Sequence, residues 1–309
     1  MDIFLQQILN GLVLGSIYAL IALGYTMVYG IMGLINFAHG EVVMFGAMVT
    51  ITVITTLMGM GVNLPGPALV LIGLLVAIPA CMLLGFAIER IAYRPLRGKQ
   101  RLAPLITAIG VSIVLQQVAI LIWGRNYIPF PQILDHDVVN IFGASITKLQ
   151  ILIVVMCLAI MAGLLLMVEK TKLGRAMRAT SQNPAVAGLM GVNVNTIISA
   201  TFVIGSALGA IAGVMVATNY EQAHYYMGFM IGLKAFTAAV LGGIGNLGGA
   251  VAGGILLGII ESLGAGYIGT LTGGFLGSNY QDIIAFMVLI AVLIFRPSGL
   301  LGEKMADRA

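Results

Sequence analysis

The residues of this sequence that are able to do chemistry are few and lie far apart. His39, His136 and His224 stand in three separate polar segments, and the zinc-protease pattern H-E-x-x-H does not occur. A metal centre needs several such ligands close together, so we predict no metal site and no metal-dependent enzyme. The phosphate-binding pattern G-x-x-x-x-G-K-[ST] is also absent from the sequence. We therefore predict no nucleotide-binding loop of this kind, no cofactor and no catalytic residue.

A glycine-rich segment at 243–248 matches the dinucleotide-binding pattern G-x-G-x-x-G. That function requires a preceding strand, a following amphipathic helix and an acidic residue about 20 positions further on. The run before the segment is short and its surroundings are typical of a helical membrane protein, so we reject a nucleotide site. Small residues spaced by four instead allow helix backbones to approach closely in lipid. The spacing occurs at Gly245, Gly249 and Gly253, at Gly254 and Gly258, and at Gly205, Gly209 and Gly213.

The elements that must position any functional residue are strongly apolar. Hydrophobic residues make up 60% of the chain and charged residues 8%, with a mean hydropathy of +1.07. Soluble domains have roughly a quarter of their residues charged, so this chain belongs in a lipid bilayer. Basic and aromatic residues do not alternate as they do in nucleic-acid grooves, and we expect no nucleic-acid partner. Cys81 and Cys157 lie in apolar runs and are expected to be free thiols.

Nine apolar runs are candidates for membrane-spanning helices, each of which needs roughly 20 apolar residues. They are Ile8–Tyr29, Val42–Met60, Ala68–Ile88, Leu102–Trp123, Leu149–Val168, Thr196–Ala217, Gly232–Gly243, Ala250–Tyr267 and Asp282–Phe295. The seventh is too short to cross unaided. We therefore predict an all-α, polytopic integral membrane protein with eight to nine transmembrane helices and Gly-rich broken segments. The first eleven residues contain no Lys or Arg, so we expect no cleavable signal peptide and a permanent first span.

Basic residues predict the orientation, because short loops with Lys and Arg stay on the cytoplasmic side. Five follow the third span, four lie in a central polar stretch, and three follow the last span. The loop 124–148 carries two basic residues and the loop 218–231 carries none, so we expect both loops to face outward. This distribution places the C-terminus inside and, with nine crossings, the N-terminus outside.

Two segments, 33–41 and 241–249, interrupt apolar runs with polar or glycine residues at membrane depth. Irregular backbone at that depth must be buried in protein or line a cavity, and paired interruptions are a pointer to a transport site. The first contains Asn36, His39 and Glu41, where His39 and Glu41 form either a proton relay or, as we favour, a buried pair that holds the break. The residues that we predict to line or brace a pathway near the two breaks are Asn36, His39, Glu41, Lys234, Thr237 and Asn246.

Lys234 is the only basic residue inside a predicted span, and a Lys at the bilayer centre costs roughly 2.5–3.5 kcal/mol. It must either extend to the outer interface or pair with an acid, for which Glu261 is the candidate. We favour the interface, because the predicted segment starts only two residues earlier.

The longest polar interruption runs from Glu169 to Thr196 and carries four of the fifteen basic residues. Its pattern predicts one short helix before Ser181 and a second that begins at Pro184, since proline suits the first helical position. This segment is either a docking element for another protein or a solvated connector.

Four segments of the sequence read I-N-F-A-H-G-E-V at 35–42, G-R-A-x-R-A at 174–179, K-A-F-T-A-A-V-L-G-G-I-G at 234–245 and R-P-S-G-L at 296–300. Together they resemble the LivH-type permease subunit of the high-affinity branched-chain amino-acid ABC transporter. The resemblance runs from about residue 8 to 302. It implies a single permease domain, 1–309, in a bacterial inner membrane, with a cytoplasmic coupling segment at 169–196 that is seated on an ATPase.

The resemblance also implies partners. These are a second permease of the LivM type, two cytoplasmic ATP-binding subunits and a periplasmic binding protein that delivers leucine, isoleucine or valine. The ATPase-coupling residues that it implies are Gly174, Arg175, Arg178, Ala179, Pro184, Ala187 and Gly191. The alternatives are a permease of the same family for urea, amides or other amino acids, and a stand-alone secondary carrier. The shortage of carboxylates deep in the spans argues against the carrier.

Overall fold

The computed structural model describes residues 2–97, 102–134, 137–141, 143–275, 277 and 280–302. Within these ranges the chain forms eleven α-helices. They are α1 (Asp2–Met32), α2 (His39–Gly59), α3 (Gly66–Ala87), α4 (Leu102–Trp123), α5 (Lys148–Lys170), α6 (Lys172–Gln182), α7 (Pro184–Leu189), α8 (Val194–Tyr220), α9 (Met227–Gly242), α10 (Leu247–Leu271) and α11 (Gln281–Phe295). A π-helical turn, Ile88–Tyr93, and a 3₁₀ turn, Arg94–Leu96, continue α3.

Seven of the described helices are long and apolar enough to cross a membrane, and α9 and α11 are shorter apolar helices. The prediction of an all-α polytopic membrane protein is confirmed. Helix α9 begins at Met227, five residues before the predicted segment, and reaches 16 residues. The sequence analysis had placed 218–231 in a loop, but the backbone is already helical from Met227.

Four short strands lie in the loops that the sequence assigned to the outer side. Strand β1 (Ile128–Pro129) pairs antiparallel with β4 (Gln222–Ala223), and β2 (Val138–Ile141) pairs antiparallel with β3 (Ala144–Thr147). Sequence reasoning missed them because strands of two to four residues carry little periodicity. The β1–β4 pairing joins the loops after α4 and α8, which therefore emerge on the same side, as the charge distribution predicted.

The chain divides into two compact units, each described by itself. In the unit formed by 27–135 and 164–233, helices α2, α3 and α8 pack together through small residues. A Cβ placed at Gly46 would lie 2.6 Å from the Cα of Ala210, and one at Gly213 would lie 2.1 Å from the carbonyl oxygen of Val43. The predicted close packing at Gly213 is therefore confirmed, and no larger side chain fits at either contact.

The other unit comprises 1–26, 136–163 and 234–309. Here α1 packs on α10 through glycines, since a Cβ at Gly254 would lie 2.4 Å from the Cα of Ala19 and one at Gly258 would lie 2.2 Å from the nitrogen of Gly15. The same packing role predicted for Gly245 is wrong. Nothing lies within 4 Å of a Cβ there, and its φ of +98° shows that it serves a turn.

Candidate functional site

The first break lies between α1 and α2. Gly33 has a φ of +64° and directly follows the last residue of α1, and the backbone stays irregular until His39 begins α2. Asn36, His39 and Glu41 are all buried, as predicted for irregular backbone enclosed by protein. Tyr93, at the end of the π-helical turn, donates a hydrogen bond of 2.9 Å from its hydroxyl to Oδ1 of Asn36. This bond ties the break to the end of the third span.

The Glu41 carboxylate is completely buried, and its two oxygens differ in their hydrogen bonding. Oε1 accepts hydrogen bonds of 2.8 Å from the hydroxyl of Ser112 and from the amide of Gln116, both on α4. Oε2 has no hydrogen-bond partner among the described residues. The sequence analysis did not identify Ser112 and Gln116. Their signal is a polar pair four residues apart on a largely apolar helix, which places both on one face.

The hydrogen bonds between α2 and α4 also give the depth of the break. Glu41 lies opposite Ser112, ten residues after the start of α4, which is about 15 Å along that helix at ~1.5 Å per residue. Further along, the indole nitrogen of Trp123 donates a hydrogen bond of 2.7 Å to the hydroxyl of Thr52. The first break therefore lies at the depth of the middle of the candidate span α4.

The start of α9 packs against the start of α2 at this level. A Cβ at Gly40 would lie 2.3 Å from the carbonyl oxygen of Gly228, and one at Gly228 would lie 2.8 Å from Oε2 of Glu41. Two helix N-termini thus meet beside a buried carboxylate, and the partial positive charge of each terminus favours an anion there. The sequence analysis missed Gly228, because a glycine beside aromatic residues gives no distinct signal.

The second break lies between α9 and α10. Gly243 and Gly245 have φ values of +107° and +98°, which only glycine adopts readily. Asn246 begins α10 as its N-cap, and its Oδ1 accepts a hydrogen bond of 3.0 Å from the backbone of Gly249. Its Nδ2 donates a hydrogen bond of 2.9 Å to the carbonyl of Leu301. Asn246 therefore braces this turn in two directions.

The segment after α11 closes the second break from its other side. The backbone nitrogens of Leu300 and Leu301 donate hydrogen bonds of 2.9 Å to the carbonyls of Leu241 and Gly242. Two of the four segments that carried the resemblance, 234–245 and 296–300, are therefore joined by hydrogen bonds. Thr237 lies one and a half turns before this point in α9 and is buried.

Lys234 lies in a charged cluster and does not extend to an interface as we had favoured. Its ammonium group is 2.7 Å from Oε1 of Glu261 and 2.8 Å from Oδ1 of Asp282, and the same Glu261 oxygen accepts weaker hydrogen bonds from Tyr18 and Gln281. Lys234 is 15% exposed and Glu261 is 1% exposed, so pairing compensates much of the cost of burying both charges. In the part of the chain that the structure describes, no three His, Cys, Asp or Glu side chains form a metal-binding group.

The central polar stretch forms two capped helices, α6 and α7. The hydroxyl of Thr171 accepts a hydrogen bond from the backbone of Gly174, and Asn183 caps α7 directly before Pro184. A Cβ at Gly174 would lie 2.1 Å from the carbonyl oxygen of Val168, so glycine allows α6 to fold back on the end of α5.

The exposed side of this stretch carries basic and apolar residues. Arg175 and Arg178 are exposed, and the guanidinium of Arg178 donates to the carbonyl of Val168. The inner side contains Gly174, Met177, Thr180 and Ala187, while Ala179 is half-buried. At the tip of α7, Leu189 and Met190 are 86% and 80% exposed. The second helix begins at Pro184, as predicted, and ends at Leu189. Gly191 follows it in a turn with a φ of +85°.

Comparison with known proteins gives one consistent result. The family described as branched-chain amino acid transport system / permease component matches residues 7–293. The chain is 46% identical over 309 residues to the high-affinity branched-chain amino acid transport system permease protein BraD of Pseudomonas aeruginosa, covering 99% of this chain and 98% of the relative. It is 45% identical over 309 residues to LivH of Escherichia coli K12, covering 99% and 97%. A probable branched-chain amino acid transport permease of Methanocaldococcus jannaschii is 30% identical over 304 residues, covering 97% and 94%. No solved structure matches the chain.

Proposed function

The chain belongs to the permease-component family of branched-chain amino acid transport systems, and on that basis we propose that it is the membrane permease subunit of an ATP-driven importer of leucine, isoleucine and valine. The observation that carries the proposal is identity of 45–46% along the full chain to relatives named as high-affinity permeases for these amino acids. The seven long apolar helices agree with a permease that spans the membrane many times.

The proposed assembly contains a second permease of the LivM type, two cytoplasmic ATP-binding subunits and a periplasmic amino-acid-binding protein. The chain would form one permease domain of a bacterial inner membrane, with its N-terminus outside and its C-terminus inside, and would hydrolyse no ATP itself. Purification of the tagged chain from its native membrane in mild detergent tests this. Recovery of the second permease and the ATPases supports the proposal, whereas a lone, monodisperse chain with uptake that survives ATP depletion would favour a secondary carrier.

We propose that the polar groups near the two breaks, namely Asn36, His39, Glu41, Lys234, Thr237 and Asn246, line or brace the translocation pathway. In many transporters the substrate site is formed by discontinuous transmembrane helices whose irregular backbone lies near the bilayer midplane. The burial of Asn36, His39, Glu41 and Thr237 supports a bracing role. The hydrogen bonds of Asn36 and Asn246 support the same role.

Leucine uptake by reconstituted Asn36→Ala and Asn246→Ala variants tests the pathway proposal. The matched control is Asn140→Ala, which removes an exposed asparagine from the β2–β3 hairpin. We expect reduced uptake in the first two variants and normal uptake in the third. If both pathway variants assemble normally and transport leucine at the wild-type rate, the assignment is wrong.

We also propose that the segment 169–196 is the coupling element that docks on an ATPase. The caps of α6 and α7 stabilise both helices. Leu189 and Met190 at the end of α7 are exposed on the protein surface, and exposed apolar side chains of this kind are typical of a protein–protein contact. Motion of the ATPases on binding ATP would then move these short helices and the spans α5 and α8 to which they connect.

Two variants test the coupling proposal. We expect Arg175→Glu to insert normally but to lose ATP-driven uptake, and Leu189→Asp to lose the ATPase subunits during purification. Met60→Asp is the matched control, because Met60 is 74% exposed in the loop after α2. Unchanged uptake and subunit recovery in both coupling variants would refute the assignment.

A further inference from the structure

A cleft of about 310 Å³ lies where α3 ends and α8 begins, within a single unit of the fold. Its lining includes Phe86, Arg90, Arg94, Asn193, Thr196 and Ser199. The volume is roughly ten times that of one water in the liquid, so the cleft has room for a polar group of several atoms. Asn193 and Thr196 belong to the end of the segment 169–196, but the lining contains none of the predicted pathway residues and none of the predicted ATPase-coupling residues.

The charged side chains around the cleft differ in whether they have a partner. Glu89 is buried and already accepts from Arg97 and from the hydroxyl of Ser199, so that carboxylate is neutralised. Arg90 and Arg94, by contrast, have no side-chain hydrogen bond or ion pair with any described residue. Two guanidinium groups therefore face the cleft without an anion, and a guanidinium fork is well suited to phosphate oxygens.

The position of the arginines along the span identifies the kind of anion. Arg90 comes 24 residues after Gly66, about 36 Å along α3 and the π-helical turn that continues it at ~1.5 Å per residue. The hydrocarbon core of a bilayer is about 30 Å thick. The two arginines thus lie at the level of the lipid headgroups, on the side that the basic loops assign to the cytoplasm. Basic clefts between transmembrane helices at this level bind anionic headgroups.

The surface next to the cleft is apolar and exposed. Leu83, Phe86 and Ile91 are 71%, 44% and 75% exposed, and Phe86 forms part of the cleft lining itself. A soluble anion would use the arginines alone, whereas a phospholipid would also cover these side chains with its acyl chains. We propose that this cleft binds the phosphate of an anionic phospholipid, with Arg90 and Arg94 as the phosphate ligands and the adjoining face of α3 as the acyl-chain contact.

Native mass spectrometry of the purified complex, titrated with dioleoyl phosphatidylglycerol or dioleoyl phosphatidylcholine, tests the proposal. We expect the wild type to retain phosphatidylglycerol with a preference of about 30-fold, from two cationic contacts, and Arg90→Gln/Arg94→Gln to lose that preference. Arg90→Lys/Arg94→Lys keeps the charge without the fork and should fall between them. Arg125→Gln, which removes an exposed arginine from the loop after α4, is the matched control and should behave as wild type.

Three results would overturn the proposal. Equal retention of the two lipids by the wild type excludes headgroup selectivity, and this holds even if the double variant does not fold. Displacement of phosphatidylglycerol by inorganic phosphate at similar concentrations identifies a site for a free anion. Loss of the ATPase subunits from the double variant with lipid retention unchanged assigns the arginines to a protein contact. The readout is lipid retention, so it does not depend on the transport proposal.

Discussion

Replacing Gly40 by alanine is the sharpest test of the packing at the first break. The added Cβ would lie 2.3 Å from the carbonyl oxygen of Gly228 and 3.0 Å from the Cα of Gly232. An ordinary contact begins at about 3.4 Å, so the start of α9 would have to move by roughly 1 Å. Both neighbours are backbone atoms, which cannot rotate away as a side chain can. Overpacking of this kind costs about 1–3 kcal/mol.

The measurement is the thermal stability of the detergent-purified complex, together with leucine uptake in proteoliposomes. We expect Gly40→Ala to unfold at a lower temperature and to transport leucine more slowly than the wild type, because the start of α9 is displaced beside the break. Gly110→Ala on α4 is the control, since nothing lies within 4 Å of a Cβ there and alanine is the better helix former.

The result that would refute the reasoning is a Gly40→Ala variant as stable and as active as Gly110→Ala. A further check uses Gly228, whose added Cβ would press on Glu41 and on the carbonyl of Gly40. Gly228→Ala should resemble Gly40→Ala, and the double variant should cost less than the sum, because the two substitutions disturb one contact. Strict additivity would show that the two sites are independent.

Three further outcomes follow from the site geometry. Lys234→Met leaves the Glu261 carboxylate buried without its cation and should lower the free energy of unfolding by about 3–5 kcal/mol. Adding Glu261→Gln to the same chain should recover part of that loss. If a thermal unfolding series shows no recovery, the pairing is contradicted. Asn246→Ala removes an N-cap and should lower stability by about 0.5–2 kcal/mol, and a wild-type melting temperature would show that the cap contributes nothing. Burial holds the pKa of His224 below its usual value, and its Nδ1 accepts from the backbone of Tyr226. A depressed histidine pKa stabilises the folded loop above about pH 6.5, and this stabilisation is lost as the pH falls below that value. Amide exchange at Tyr226, corrected for intrinsic rates, should therefore accelerate as the pH falls from about 7 to about 5. The same acceleration should be absent in His224→Gln.

Much of the fold follows from the sequence by simple physical rules. The apolar runs predict the long helices because lipid leaves the backbone few other ways to satisfy its hydrogen bonds. Pro184 and the polar residues before it predict the start of α7. The resemblance is confirmed by the family match over residues 7–293 and by the relatives that align with 99% of the chain. The pathway and coupling residues remain predictions, since they concern states and partners beyond this chain.

What the sequence could not supply are the contacts between distant segments. Glu41 meets Ser112 and Gln116 about seventy positions away, and no local pattern encodes that choice. Lys234 was misplaced for a related reason. Distance from a predicted segment end suggested an interface, but α9 starts earlier and turns the lysine toward Glu261. Glycine spacing was a better guide, although it could not distinguish the turn at Gly245 from a packing contact.

The closure of the second break by the last described residues has a consequence for biogenesis. The carbonyls of Leu241 and Gly242 receive their hydrogen bonds from Leu300 and Leu301, which the ribosome makes only after the whole of α10 and α11. A nascent chain that stops before Arg296 therefore inserts most of its helices but leaves this turn open in the membrane. We therefore expect a permease truncated before Arg296 to be degraded faster in the membrane than the full-length chain.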